Sequence, residues 1–333
     1  MHALQRPLVS IVIPCHNEED TVEVCVESFL RQSYPNIEII VVDDHSTDGT
    51  CTVLQKYRNM GNVKIIRNDS NYGEGYSRNV GIKVARGEIV IEAECDGKYP
   101  PDYVEKMIAP LLEDKNTGGA IPGKRIVWSD KDNVLVRYWN KRFLAAYILT
   151  LKGKRPVIGA WAFRRGVLEE VGLYDETLPC GTDVDLVNRI KGRGYKIAFV
   201  ADTYFYHRDP DTFKKFIRRI WWGSIKCKRF RERWGLEPKG FRKLFFTGRN
   251  ISALLLPVYP VLALIHNILW LLIFFGVFFA ESVFPILYDR ELRLTFKLAL
   301  EDGDYRLALA LPFICWVEIR TRALGIFYAM LKG

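Results

Sequence analysis

Several acidic and basic residues sit where short apolar runs end, and their spacing suits nucleotide chemistry. Glu94-Cys95-Asp96 places two carboxylates at i and i+2 just beyond the apolar run 88–92 (EIVIE). At a strand tip, two such acids can reach one divalent ion and a ribose, since hard cations take carboxylate and diphosphate oxygens. A simple acidic loop has the same spacing. Asp43-Asp44 ends the run 37–42 (IEIIVV) in the same way. A carboxylate there can accept from a base N–H or a ribose hydroxyl, while Ser46 and Asp48 read equally as turn and cap residues. Arg78-Asn79 opens a helix after the glycine-bearing stretch 71–75 (NYGEG). Its guanidinium either meets a diphosphate or faces solvent. Asp183, in 181–186 (GTDVDL), precedes another helix. It either caps that helix or takes a proton from an acceptor hydroxyl as a general base.

These residues need a scaffold that brings strand tips together. The runs 8–14 (LVSIVIP), 37–42, 63–66 and 88–92 are short, apolar and rich in β-branched residues. Near-continuous apolar strands suit a sheet buried on both faces. Between them, Val22, Val26, Phe29 and Leu30, and then Val104, Met107, Ile108 and Leu111, repeat at helical spacing. Strand and helix alternate at βαβ distances, which predicts an α/β fold with a mostly parallel, Rossmann-like sheet. Ligands in such folds bind beyond the carboxyl ends of the strands. The segments that follow the strands, including Pro14-Cys15-His16-Asn17-Glu18, are therefore the site candidates.

The 333-residue chain changes character near residue 208. Residues 1–208 read as the catalytic α/β domain, 209–249 as basic amphipathic interface helices and 250–333 as membrane-associated or transmembrane helices. The net charge is +9, and the cations crowd between Lys214 and Arg249. Phe213, Phe216, Ile217, Ile220 and Trp221 share one helical face, and Lys214, Lys215, Arg218 and Arg219 take the other. That pattern suits a helix lying in a bilayer interface, or one docked on the protein's own core. Residues 251–287 carry only His266 and Glu281 as ionisable groups. The run is long enough for a tilted span or a short hairpin. A second stretch, 307–331, is interrupted by Glu318, Arg320 and Arg322, so it either spans with an internal ion pair or bends along the interface. The seven cysteines are odd in number and lack a C-x-x-C pair, which argues against a disulfide framework or zinc site. Met1 to Pro7 leads directly into a strand-like run, without a signal-peptide pattern.

As an ordered set the motifs resemble the family 2 glycosyltransferases with the GT-A fold. The matching pieces are 10–18 (SIVIPCHNE), 42–50 (VDDHSTDGT), 77–82 (SRNVGI), 94–103 (ECDGKYPPDY), 172–176 (GLYDE) and 182–189 (TDVDLVNR). The resemblance covers residues 8 to 235. It implies that Pro14 and Glu18 line the nucleotide pocket, that Asp44 binds the base and that Arg78 lies near the ribose or diphosphate. Asp96 matches the second acid of the D-x-D motif, a ligand of Mn²⁺ or Mg²⁺, and Asp183 the general base. His207 matches a histidine that approaches the metal or diphosphate. Gly159, Ala160 and Trp161 fall where the family contacts its acceptor; Trp161 either stacks on a sugar ring or belongs to the core.

Three positions depart from the family pattern. The first acid of D-x-D is Glu94, which can shift the ribose contact. Thr182 replaces the acid that usually precedes the base. The Q-x-x-R-W motif of processive synthases is absent, with Arg218-Arg219-Ile220-Trp221 in its region, which favours single additions. The resemblance thus implies an inverting transfer of one sugar from a nucleotide diphosphate sugar to a lipid-linked acceptor. GDP-mannose is the first expectation for the donor, and UDP-GlcNAc and UDP-glucose are the alternatives. The expected partners are the donor, a lipid-linked acceptor and membrane lipids, with no nucleic acid. The catalytic domain is expected to face the cytoplasm. A membrane-bound scaffold that binds sugar nucleotides without turnover is the competing reading. Glu94 and Thr182 favour it; Asp96 and Asp183 oppose it.

Overall fold

Apolar strands that alternate with amphipathic helices have to bury both faces of a sheet, and the chain does so. The computed structural model describes residues 6–154, 161–178, 181–226, 276–279, 282–283 and 285–331. Strand β1 (Val9–Cys15) leads to α1 (Val22–Leu30), β2 (Ile37–Asp43) to α2 (Thr50–Leu54), and β3 (Val63–Arg67) to α3 (Glu74–Val84). Then come β4 (Ile89–Glu92), β5 (Gly97–Lys98), α4 (Tyr103–Glu113), β6 (Thr117–Val127), α5 (Val134–Leu151), β7 (Ala162–Arg164) and α6 (Arg165–Val171). The last elements of the sheet region are α7 (Thr182–Gly192) and β8 (Lys196–His207).

The eight strands run in the order β3-β2-β1-β4-β7-β6-β8-β5. β1 pairs in parallel with β2 and β4, β2 with β3, and β6 with β8. β7 runs antiparallel to β4 and β6, and β5 antiparallel to β8. The sheet is therefore mixed, with a parallel half built by the βαβ units. Short strands such as β7 lie outside the reach of the periodicity that revealed β1 to β4. One core packs Ile11, Ile13, Ile39 and Val41 against Phe29, Tyr103 and Met107. The other packs Val12, Ile40 and Val90 against Ile82, Leu186 and Ile190. Gly81 is required at the second: a Cβ there would lie 2.3 Å from Val12 Cγ1. α3 thus sits directly on β1, which carries its N-terminal residues to the strand tips.

The chain forms two compact units: 1–128 with 150–208, and 129–149 with 209–333. Among the described residues, the second is built mainly of helices. Its described members are most of α5, α8 (Phe213–Lys226), α9 (Arg290–Glu301) and α10 (Tyr305–Leu331). Its core joins Leu135 and Tyr138 to Phe216, Ile220, Leu311 and Ile314. This core takes up part of the apolar face of α8. Phe216 is fully buried and Ile220 nearly so, while Phe213 and Ile217 stay exposed. The middle of the apolar face packs on the protein's own helices.

Glu318 of α10 finds its partners inside the same unit. Glu318 accepts from the Tyr138 hydroxyl at 3.1 Å and from Arg142 at 3.2 Å, and pairs with Arg322 at 2.5 Å. Arg142 also donates to Glu291 at 2.9 Å. Among the described residues no helix is long and apolar enough to cross a membrane. The internal ion pair expected within 307–331 is present between Glu318 and Arg322. The run 251–287 lies largely outside the described residues.

Candidate active site

The site residues gather at the carboxyl ends of the strands in the first unit. Pro14 is half-buried near the end of β1, opposite Val42. Beyond it, Asn17 and, after β2, His45 adopt left-handed backbone (φ 57° and 59°). Such non-glycine residues cluster at functional sites. The two tips are tied together: Asn17 N–H donates to Ser46 Oγ at 3.0 Å, and His16 Nδ1 lies 2.7 Å from the Asp44 carbonyl. Glu18 is half-buried and accepts from Thr21 Oγ1 at 2.7 Å. Burial, and then the nearby Asp96, push its carboxyl up despite that bond and His207. It therefore borders the acidic cluster.

Asp44 is almost fully buried. Its carboxylate accepts from Asn68 Nδ2 at 2.8 Å, Tyr72 N–H at 3.0 Å and Gly73 N–H at 2.7 Å. It thus holds the loop that feeds α3, through Gly73 at φ 92°. Three of the roughly four acceptor sites of a carboxylate are used internally. Asp43 is structural: its Oδ1 accepts from Ser46 N–H at 3.0 Å. Asp48 closes the following turn onto Thr50.

The acidic cluster forms where β4, β5 and β8 meet. Gly97 pairs with His207 across the β5–β8 ladder, and the Asp96 carbonyl accepts from Arg208 N–H at 3.1 Å. His207 Nε2 lies 2.6 Å from Glu94 Oε2 and 3.1 Å from Asp96 Oδ1. One ligand atom from each of Glu94, Asp96 and His207 lies within 4.8 Å of the others. Two carboxylates and an imidazole suit Mn²⁺ or Mg²⁺, so the residues present fit such an ion. Burial would raise the Glu94 carboxyl, but His207, Arg125 and Arg78 outweigh it and hold it at about 2. Arg125, on β6, lies 2.8 Å from His207 Nδ1 and 3.9 Å from Glu94 Oε2. The cluster is thus a compact set of opposite charges, with Glu94 joining Asp96.

Behind it, Arg78 is 8% exposed and lies 2.5 Å from Glu74 and 3.4 Å from Glu92 Oε2. Its guanidinium also stands 5.2 Å from the centre of the Tyr174 ring. Burial would lower its pKa, but Glu74, Tyr174, Glu92 and Asp183 keep it charged. Asp183 is half-buried in the first turn of α7. The N-cap is Gly181, with no side-chain capping bond, so neither Thr182 nor Asp183 has that task. The neighbouring Asp185 is the structural acid. It is fully buried and accepts from Arg189 at 2.9 Å, and Arg189 in turn grips the carbonyls of Val171, Gly172 and Leu173.

Gly159 and Ala160 lie outside the described residues. Trp161 is half-buried and packs against the core. Its N–H donates to the Ala120 carbonyl and its carbonyl accepts from Glu92 N–H, each at 2.7 Å, and its ring packs 4.4 Å from Phe205. Sequence reasoning missed Arg125, Glu92 and Tyr174. A carboxylate closing an otherwise apolar strand was the available signal for Glu92. Arg125 carried none, because only the β6–β8 pairing brings it beside His207.

Comparison with known proteins agrees with this geometry. Residues 10–172 match the family model described as "Glycosyl transferase family 2". The chain is 25% identical over 311 residues to the "Probable glycosyltransferase YdaM" of Bacillus subtilis, covering 88% of this chain and 70% of that protein. It is 26% identical over 261 residues to "Glycosyltransferase AglE" of Haloferax volcanii, covering 76% and 83%. A third relative, the "Putative teichuronic acid biosynthesis glycosyltransferase TuaG" of Bacillus subtilis, is 37% identical over 109 residues, 32% of this chain and 43% of its own length. Among solved structures, the mannosyltransferase PcManGT from Pyrobaculum calidifontis, in complex with GDP-Man and Mn²⁺, shares the fold. Its TM-score is 0.60 at 18% identity, covering 98% of this chain and 88% of that one. With its strand-tip site and its match over residues 10–172, the chain belongs to glycosyl transferase family 2 and is a glycosyltransferase of the GT-A fold.

Proposed function

We propose that the chain transfers one sugar, with inversion, from a nucleotide diphosphate sugar to a lipid-linked acceptor. The observation that carries this reading is the convergence of Glu94, Asp96 and His207 within 4.8 Å, next to Arg78 and Asp183. Mn²⁺ or Mg²⁺ held by these three would act as a Lewis acid on the diphosphate. Pro14, Glu18 and the remaining acceptor capacity of Asp44 line the nucleotide side. Arg78 and Arg125 stabilise negative charge on the departing nucleoside diphosphate. Asp183 takes the proton of the acceptor hydroxyl as its oxygen bonds the anomeric carbon and the bond to the diphosphate oxygen breaks. The leaving oxygen keeps the electron pair, and no covalent enzyme intermediate forms.

GDP-mannose is the donor we favour, with support from the shared fold of a mannosyltransferase solved with GDP-Man and Mn²⁺. UDP-GlcNAc and UDP-glucose are the alternatives. We place the enzyme at the cytoplasmic face of a membrane. Support comes from the exposed Phe213, Ile217, Lys214, Lys215 and Arg218 of α8 and from the apolar sequence 251–287. Donor turnover, assayed with Mn²⁺ and each nucleotide sugar in turn, tests the reading. Hydrolysis or transfer from one donor is expected; none from any donor, with or without metal, would favour a scaffold.

A further inference from the structure

The buried carboxylate of Glu92 has no place in the chemistry above, yet it stands directly behind a residue that does. Glu92 closes β4 on the face that packs against α3, and it is 3% exposed. Its Oε2 accepts from the Tyr174 hydroxyl at 2.5 Å and lies 3.4 Å from Arg78 Nε. Tyr174 is itself clamped: its N–H donates to Asn79 Oδ1 and its carbonyl accepts from Asn79 Nδ2, each at 2.9 Å. Two of the buried polar atoms without a hydrogen-bond partner belong to this one pair, Arg78 Nε and Glu92 Oε1. Buried unsatisfied groups are rare, and each calls for an explanation.

Arg78 thus sits between two carboxylates of different character. Glu74 is the outer one, with a 60% exposed side chain, and Glu92 the inner one, with a 4% exposed side chain. Diphosphate oxygens can replace a solvated carboxylate at the outer edge of the guanidinium. They cannot reach the inner edge. We propose that Glu92 is a positioning residue: with the Tyr174 hydroxyl it fixes the inner edge of Arg78, so that the outer edge is presented to the donor diphosphate while Glu74 acts as the exchangeable partner. This rests on the reading of Arg78 as a diphosphate ligand. Without the inner anchor, the guanidinium follows Glu74 toward solvent and meets the diphosphate without a defined direction.

Positioning and plain electrostatics make opposite forecasts. If Glu92 acted only as a nearby negative charge, its removal would strengthen the binding of an anion. If it orients Arg78, its removal weakens binding. The test is calorimetry of GDP and of UDP, each with Mn²⁺, on the full chain. Glu92→Leu is expected to weaken binding ~10-fold and Glu92→Gln, which keeps an acceptor, ~3-fold. Tyr174→Phe is expected to weaken it ~3-fold. Glu74→Gln is expected to bind as tightly as wild type or more so. In an Arg78→Ala background Glu92→Leu is expected to add no further loss. The Mn²⁺ concentration for half-maximal binding stays that of wild type. If Glu92→Leu does not fold, Glu92→Gln and Tyr174→Phe decide the matter. Binding equal to or tighter than wild type in folded Glu92 variants overturns the proposal, as does a full additional loss in the Arg78→Ala background. Wild-type binding by Arg78→Ala would instead remove Arg78 from the diphosphate site, and the proposal with it.

Discussion

Replacing Asp183 by asparagine separates catalysis from folding and from donor binding. The structure bounds each cost. Asp183 makes no capping bond, and Gly181 is the N-cap of α7. Its charge in the first helical turn favours the helix dipole by only ~0.3–1 kcal/mol. An isosteric amide therefore leaves the fold standing. In the proposed mechanism donor binding rests on Arg78 and the Glu94–Asp96–His207 cluster, and Asp183 acts on Arg78 through its field. That field opposes an anionic donor, so the amide leaves binding equal or slightly tighter. The chemical step loses its proton acceptor. General bases contribute ~10²–10⁴ in rate, about 3–5 kcal/mol at ~1.4 kcal/mol per decade. The assay is transfer to a lipid-linked acceptor under saturating donor, beside calorimetry of the nucleoside diphosphate. The expected result is kcat lower by ~10² or more, with the Kd within a factor of about three. Transfer within a few-fold of wild type would take Asp183 out of the mechanism and return the search for a base to Glu18 and Glu74.

Three further outcomes follow from the geometry. Asp96→Asn is expected to abolish the Mn²⁺ dependence of nucleoside diphosphate binding while thermal unfolding stays near wild type; unchanged metal dependence in calorimetry would remove Asp96 from the cation site. Arg219 donates to the buried Asp209 at 2.6 Å, so a membrane test of α8 has to spare it. Neutralising Lys214, Lys215 and Arg218 is expected to lower transfer to a vesicle-borne acceptor far more than donor hydrolysis, at about 1 kcal/mol of membrane attraction per cation; equal loss of both would make the helix a fold element only. Glu38 accepts from Ser10 Oγ at 2.6 Å and from Arg86 N–H and Nε at 2.7 and 2.8 Å. Burial would raise its carboxyl, but these donors hold it below the ordinary 4.5. A depressed folded pKa gives stability that is present above 4.5 and is lost as the pH falls through the folded value. Glu38→Gln is therefore expected to melt lower than wild type at pH 7, with the gap closing in acid. A gap that persists unchanged at pH 3 would assign the effect to packing.

Much of the first unit was legible in the chain because its cause is local. β1 to β4 are apolar runs with β-branched residues, and their period and length name them without any partner. The residues just beyond them, Glu18, Asp44, Glu94 and Asp96, could be picked out because parallel sheets place loops at one end. Gly81 sat inside a recognisable motif, and the structure supplies the reason in its contact with Val12.

Other features depended on what lies far away in sequence. Arg125 reaches the acidic cluster only because β6 pairs with β8. Asp44 looked like a ligand-binding acid, yet most of its acceptor capacity is spent on Asn68, Tyr72 and Gly73. On α8 the helical period identified an apolar face but not its neighbour; Phe216 and Ile220 went to the protein's own helices. The charges of 318–322 offered an internal ion pair, and the structure adds Arg142, 176 residues earlier, which pairs with Glu318 within a helical core. Period and motif report what a segment can bury or bind, because they follow from backbone geometry within a few residues. Which surface it meets is set by packing between segments far apart in the chain, and that is decided only when the whole chain folds.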